Sequence, residues 1–319
     1  MVVKWKGLLS KSHPLPGGGP QGGTLGTEEY LSQSNKNTDF LDQDEKFKFI
    51  DDLSILEIIN LISIGLASYN FHGHVASDIG LENFFLDPRN IKSQEYLDKI
   101  ESWTRGQKMK LNKEKTNYMI FNFSKNYKFN TRLSLEQTKL EQVKETKLLG
   151  LVLRDDLSWI SNTQSITKRA YARMTILRNL YSFDIPVTDL VQLYILYIRS
   201  IVEQSAVVWH SSITKGEQKD LERVQKVALR IILKDDYAYY ENALRLTGLE
   251  TLAARRAKLC LNFAKKCLKS EKTAKMFPLN DSHVNTRNPE VYHVAPAKTD
   301  RLAKSAIPYM QRLLNANKK

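Results

Sequence analysis

At about Gln164 the apolar pattern of this chain changes period, and that change limits the fold more than any other feature of the sequence. Upstream, apolar residues alternate with polar ones or run in short β-branched and aromatic blocks; downstream they recur every three or four residues. Ile166, Ala170, Met174 and Leu177 fall on one helical face, with Lys168, Arg169, Arg173 and Arg178 elsewhere. Leu190, Tyr194, Ile198, Ile201 and Val202 mark a second helix, apolar almost all round and so expected to be buried. Leu221, Val224, Ala228, Ile231 and Ile232 mark a third, which also carries Arg223, Lys226 and Arg230. A fourth runs near Leu252 to Leu268. Four basic amphipathic helices in succession predict a separate all-α domain. The chain accordingly divides into 1–160, where strands and helices interleave, a helical basic domain over 161–272, and a largely irregular tail over 273–319. The tail closes with a short helix in "TDRLAKSAIPYMQRLLN". The fold class is α+β.

Charge divides at the same place. The net charge is +13, and residues 1–163 hold 21 Lys and Arg against 21 Asp and Glu. Residues 164–319 hold 27 against 14, so the whole excess lies in the helical half. Such asymmetry points to nucleic acid or another polyanion as partner of that half. No run approaches the length of a membrane span, and no secretory signal stands at the start, so the chain reads as intracellular. Cys260 and Cys267 are seven residues apart in a helical pattern, two turns along one face, too far for a disulfide. Neither they nor the six histidines show zinc-ligand spacing.

Three Asp-Asp pairs occur. Asp155-Asp156 and Asp235-Asp236 end a strand and a helix and read as solvated turns. Asp51-Asp52 differs, because Phe47, Phe49, Ile50, Leu53, Ile55 and Leu56 flank it with sheet-forming residues. The stretch "KFKFIDDLSILEI" predicts a β-hairpin with the acids at or near its turn. Two carboxylates held there call for a compensating cation, and Mg²⁺, a hard ion, suits them. The glycine-rich "LPGGGPQGGTLG" (Leu15–Gly26) lacks the Lys-Ser/Thr of a P-loop and the setting of a dinucleotide fingerprint. Its bare backbone and the Gln21 amide suit close approach to a ligand. Ser93 is a candidate cap for a helix with Tyr96, Leu97, Ile100 and Trp103 on its apolar side, and "NYMIFNFS" and "TKLLGLVLRDDLSW" read as further strands.

Taken in order, "LPGGGPQGGTLG", "KFKFIDDLSIL", "KMKLNKEKTNYMIFNFS" and "ETKLLGLVLRDDLSW" resemble the motif series of reverse transcriptases, those of non-LTR retrotransposons in particular. The segment Leu190–Leu233 and the final "AIPYMQRLLN" are similar to the region downstream of the polymerase motifs in such elements. The resemblance implies a polymerase palm, an antiparallel sheet with helices, followed by an all-α thumb. It implies that Asp51 and Asp52 bind the catalytic Mg²⁺ pair, and that Gln21 and Gly22 line the site where nucleotide meets template. Lys115 would approach the triphosphate, and Leu149-Gly150 would belong to the primer-grip hairpin. Lys168, Arg169, Arg173, Arg223, Lys226 and Arg230 would contact phosphates of an RNA/DNA template–primer. Deoxynucleoside triphosphates would be the substrates and the nucleus the compartment.

The sequence departs from the family in two respects. The acid that the family places before the glycine loop has no counterpart: residues 1–27 contain no Asp or Glu, and the fingers are missing. The expectation is the C-terminal part of a reverse transcriptase, a partial palm with thumb and tail, that extends primers poorly by itself. The alternative is a non-catalytic nucleic-acid-binding remnant. A viral RNA-dependent RNA polymerase fits less well, since "PQG" and "FIDD" replace its usual glycine loop and Gly-Asp-Asp.

Overall fold

The computed structural model describes residues 4–5, 8–9, 46–49, 52–55, 83–85, 92–106, 111–123, 128–180, 183–280 and 290–317. The protein is mixed α+β and divides into two compact units, Met1–Val143 and Lys144–Lys319.

In the first unit β1 (Lys4–Trp5) and β2 (Leu8–Leu9) pair antiparallel, as do β3 (Lys46–Phe49) and β4 (Asp52–Ile55). β5 (Asn83–Phe85) runs parallel to β7 (Lys128–Asn130), and β6 (Asn117–Tyr118) to β10 (Glu141–Gln142). β8 (Ser134–Leu135) and β9 (Thr138–Lys139) close a hairpin. With the hairpin that opens the second unit, the described strands form six two-stranded ladders, not one continuous sheet. The strand expected over "NYMIFNFS" shrinks to Asn117–Tyr118, because the following apolar residues are only half-buried and Phe123 is exposed.

Helix α1 (Lys92–Gly106) begins before Ser93, which therefore lies inside the first turn instead of capping it. Its buried face is Tyr96, Ile100 and Thr104, one residue every four. The side-chain amide of Gln94 fastens it to β8, accepting from Ser134 N and donating to Ser134 O, both at 3.0 Å. Leu133, Leu135 and Leu140 then cover Leu97, Leu111 and Tyr118.

The second unit opens with the hairpin of β11 (Glu145–Leu148) and β12 (Leu151–Arg154). Helix α2 (Ile160–Leu180) comes next, starting four residues earlier than its apolar spacing shows. The reason is that its first turn is buried through polar residues. Asn162 Oδ1 accepts from Val152 N at 3.2 Å, and the Thr163 hydroxyl donates to Glu217 at 3.2 Å. Helix α3 is continuous from Val187 to Glu203, α-helical over Val187–Leu193, π-helical over Tyr194–Arg199 and α-helical again over Ser200–Glu203. Leu190, Tyr194, Ile198 and Val202 form a fully or nearly fully buried row spaced by four, with Val191 buried beside it. In an α-helix that spacing overshoots a turn by about 40° each time; the wider π turns take back the lead and keep the row facing the core. The helix is not buried all round, since Leu196 and Tyr197 are exposed.

After α4 (Ala206–Trp209) comes α5 (Lys215–Leu233), which packs along α2. Helix α6 (Tyr240–Thr247) and α7 (Leu252–Cys267) complete the main core with Leu252 and Ala243. A smaller core joins α7 to the C-terminal helix. Past α8 (Glu271–Ala274) and α9 (Asp300–Ala303), α10 (Ala306–Ala316) lays Met310 and Leu314 against Cys260, Ala264, Cys267 and Phe277. Both cysteines are free and buried there, as their spacing requires. Asn315 clasps the segment before α9, accepting from Val291 N and Tyr292 N and donating to Tyr292 O. Among the described residues no helix is long and apolar enough to cross a membrane.

Candidate nucleic-acid interface

Helix α5 carries a row of positive charge along one side. Its start is fixed by a capping box: Thr214 Oγ1 accepts from Glu217 N at 3.2 Å, and Glu217 Oε2 accepts from Thr214 N at 2.8 Å. From that start, Leu221, Val224, Ala228 and Ile232 turn inward. Lys215, Lys219, Arg223, Lys226 and Arg230 recur along it at spacings of four, four, three and four. At about 100° per residue they fall within roughly 80° of arc, opposite the buried face, over about 22 Å of axis. Arg223 has only an exposed partner, Asp220 at 3.7 Å, worth little in water. Lys226 Nζ stands 4.8 Å from the centre of the Tyr240 ring, and Arg230 stands 5.3 Å from that of Tyr237. Sequence reasoning named three of these five. Lys215 and Lys219 were legible in the same spacing but lie ahead of the first apolar marker, Leu221.

The cations of α2 are arranged differently. Lys168 and Arg173 are exposed, but five residues of helix set them about 140° apart. Arg169 is half-buried and donates to Gln204 Oε1 at 3.1 Å, so it is engaged within the protein. Arg223 also borders an open groove between α2 and α5, walled by Thr163, Thr167, Tyr171, Gly216 and Asp220.

Of the motif residues, Gln21, Gly22 and Asp51 lie outside the described residues. Asp52 begins β4 and pairs with Phe49, so the expected hairpin is present and Ile50-Asp51 are the two residues between its strands. Lys115 lies in a turn, not in a strand. Asn112 builds the turn: its carbonyl accepts from Thr116 N and from the Thr116 hydroxyl, and its Oδ1 accepts from Lys115 N. Lys113 ties the turn to Glu136 at 2.7 Å, whereas Lys115 points outward, with no side-chain partner among the described residues. Among those residues no three His, Cys, Asp or Glu side chains gather at one point.

Leu149-Gly150 form the two-residue tip of the β11–β12 hairpin, both with positive φ, 48° and 85°. Leu149 is exposed, and Gly150 packs on Gln204, whose amide a Cβ at position 150 would meet at 2.6 Å. Gly150→Ala should cost about 1–2 kcal/mol in urea unfolding, from strain and the displaced Gln204 together. An unchanged midpoint would show that the tip moves freely. The other two acid pairs are solvated turns, as expected. Asp156 accepts from Ser158 N at 2.8 Å beside Arg154, and Asp235-Asp236 form an exposed 3-10 turn after α5.

Two buried polar groupings were not anticipated. In the first, the Tyr194 hydroxyl donates to Gln225 Oε1, and Gln225 Nε2 donates to the Tyr240 hydroxyl and to Glu250 O. Tyr240 in turn donates to Glu222. Burial first, then the Glu222 carboxylate, push the Tyr240 phenol well above its usual range. In the second, Arg256 Nε donates to His210 Nδ1 at 3.2 Å, with Arg256 against the Trp209 ring and His210 edge-on to Tyr309. Burial, and then Arg256, push His210 down to about 4. The folded state thus resists a proton that the unfolded chain accepts near pH 6.5. Stability is therefore complete above that pH and drains away as pH falls toward 4, by up to about 3 kcal/mol. His210→Gln, which keeps an acceptor for Arg256, should flatten that slope in urea unfolding measured at several pH values. A slope unchanged in the variant would assign the loss to other groups.

No protein-family model, curated protein or solved structure matched the chain in comparisons with known proteins.

Proposed function

We propose that this chain is part of an RNA-directed DNA polymerase of the non-LTR retrotransposon type, and that its second unit holds a template–primer duplex by the phosphates. The observation that carries the reading is the five-cation stripe of α5 opposite a fully buried face. A straight row of Lys and Arg without base-reading geometry suits a partner recognised by its backbone charge. The order of the four motifs supports the polymerase assignment, as do a hairpin at "FIDD", an outward Lys115 and a Leu-Gly hairpin tip. In this reading the fold is that of the family, a palm followed by a thumb. Asp51 and Asp52 are then the hard-oxygen ligands for Mg²⁺, which when bound stabilises charge at the reacting phosphate. Gln21 and Gly22 border the nucleotide, Lys115 faces the triphosphate, and Leu149-Gly150 support the primer end.

The test is binding of the full chain to RNA–DNA duplexes by fluorescence anisotropy across a salt series. Five phosphate contacts give a slope of log K against log salt of roughly −4.5, without sequence preference. Salt-insensitive binding would sink the reading. Mg²⁺-dependent primer extension that disappears in Asp51→Asn separates a polymerase from the alternative, a binding remnant without catalysis.

A further inference from the structure

Arginines from three helices converge where α3 ends. Arg199 Nε and Arg255 Nε lie 3.4 Å and 3.1 Å from the same oxygen, Glu203 Oε1. Arg169 reaches the neighbouring Gln204 from α2. Among the described residues one carboxylate pairs with the first two guanidinium groups, so these three side chains together carry a net charge of +1. Arg256, next in sequence to Arg255 and fully buried, is balanced by Glu222 as well as Glu203, and its Nη1 and Nη2 have no hydrogen-bond partner among the described residues.

This charge is held in a shielded place with one open side. The side chains of Glu203 and Arg199 are 14% and 16% exposed, and that of Arg255 is 39% exposed. Arg255 donates to the carboxylate through Nε, whereas Arg199 Nε, 3.4 Å from the same oxygen, makes no hydrogen bond among the described residues, and the Nη groups of neither arginine make one there. Those terminal N–H groups are the ones that match an oxyanion bidentately. Among the described residues one carboxylate stands between the two guanidinium groups, which leaves them one positive charge in excess.

We infer that Arg199 and Arg255 form an oxyanion-binding fork for a phosphate group, with Glu203 setting the spacing of the two guanidinium groups. The inference rests on the reading of the second unit as a nucleic-acid holder only for the source of the phosphate, the backbone of the bound strand. The hairpin tip at Gly150 packs on Gln204, the residue after Glu203, which sets the fork beside a surface already assigned to that strand. Neither arginine belongs to the α5 stripe.

The experiment uses the full chain and its Arg199→Gln, Arg255→Gln and Glu203→Gln variants, each checked for fold by circular dichroism. Inorganic pyrophosphate is the free-anion probe, followed by thermal shift, and labelled RNA–DNA duplex is the second probe. Pyrophosphate is expected to raise the melting temperature of the unmodified chain. The apparent affinity should fall about tenfold in Arg255→Gln, as for one lost charge-assisted pair. In Glu203→Gln it should rise, because the competing carboxylate is gone; a purely structural ion pair gives the opposite sign. The salt slope of duplex binding should drop by about one in either arginine variant. The fork is overturned if pyrophosphate gives no shift, if both arginine variants keep the shift, or if Glu203→Gln weakens it. A pyrophosphate response that depends on the arginines, with no duplex binding, upholds the fork and removes the nucleic-acid reading. Duplex binding with a silent fork does the reverse.

Discussion

Replacing Lys219, Arg223, Lys226 and Arg230 together by glutamine should lower the affinity of the full chain for an RNA–DNA duplex by about a thousandfold at roughly 0.1 M salt. Each phosphate contact contributes close to about −0.9 to the slope of log K against log salt. Loss of all four contacts therefore flattens the slope by about 3.6 and removes most of the electrostatic affinity at low salt. The substitutions lie opposite Leu221, Val224, Ala228 and Ile232, so the core and the fold should survive them. As a control, exposed Lys168 and Arg173, which do not share a face, should together cost no more than about tenfold. Equal losses in the two sets would mean that total charge, not the α5 stripe, attracts the duplex.

That contrast between α2 and α5 also shows what the sequence makes legible. Apolar spacing located the helices because burial of one side is a local, periodic demand, and Ile166, Ala170, Met174 and Leu177 all meet it. The hairpin at "FIDD" was legible for a similar reason, since β-branched and aromatic runs flank its two-residue gap; the β11–β12 hairpin was not, because "TKLLGLVLRDDLSW" reads as one strand and a turn at Leu149-Gly150 was implied only by the resemblance. The same counting missed the first turn of α2, where Asn162 and Thr163 are buried by hydrogen bonds that only a distant partner supplies. It also overstated the burial of α3, since a composition rich in Leu, Ile and Tyr does not say that Leu196 and Tyr197 face outward. The charge count found the right half of the chain but not the right residues. Arg169 looks like any surface cation of α2 until Gln204, 35 residues on, takes its guanidinium. Arg256 is the extreme case: it stands in "LAARRAKL" between half-buried Arg255 and exposed Lys258, yet is fully buried because its turn of α7 faces Trp209 and His210. Side-chain pairing over such separations has no signature in spacing.

Gln225 is hidden in the same way, within "ERVQKVALR", and its loss should strongly destabilise the second unit. It is fully buried, and its amide serves three partners: it accepts from Tyr194, and donates to the Tyr240 hydroxyl at 2.9 Å and to Glu250 O at 2.8 Å. Gln225→Leu keeps the volume but leaves all three without that partner, and Tyr194 is itself fully buried. A buried donor or acceptor stripped of its partner costs about 1–3 kcal/mol, so the variant should lose roughly 4 kcal/mol in urea unfolding. Gln225→Glu should fare no better, because it removes the donor and adds a carboxylate near Glu222, which already accepts from Tyr240 and from Leu252 N. The informative variant is the combination Tyr194→Phe with Gln225→Leu. It deletes donor and acceptor together, and should recover about 1 kcal/mol relative to Gln225→Leu alone, although it removes a further polar group. Strict additivity, with the double variant weaker than either single one, would show that Tyr194 finds another partner when Gln225 is gone, and that the network does not set how α3 and α5 pack.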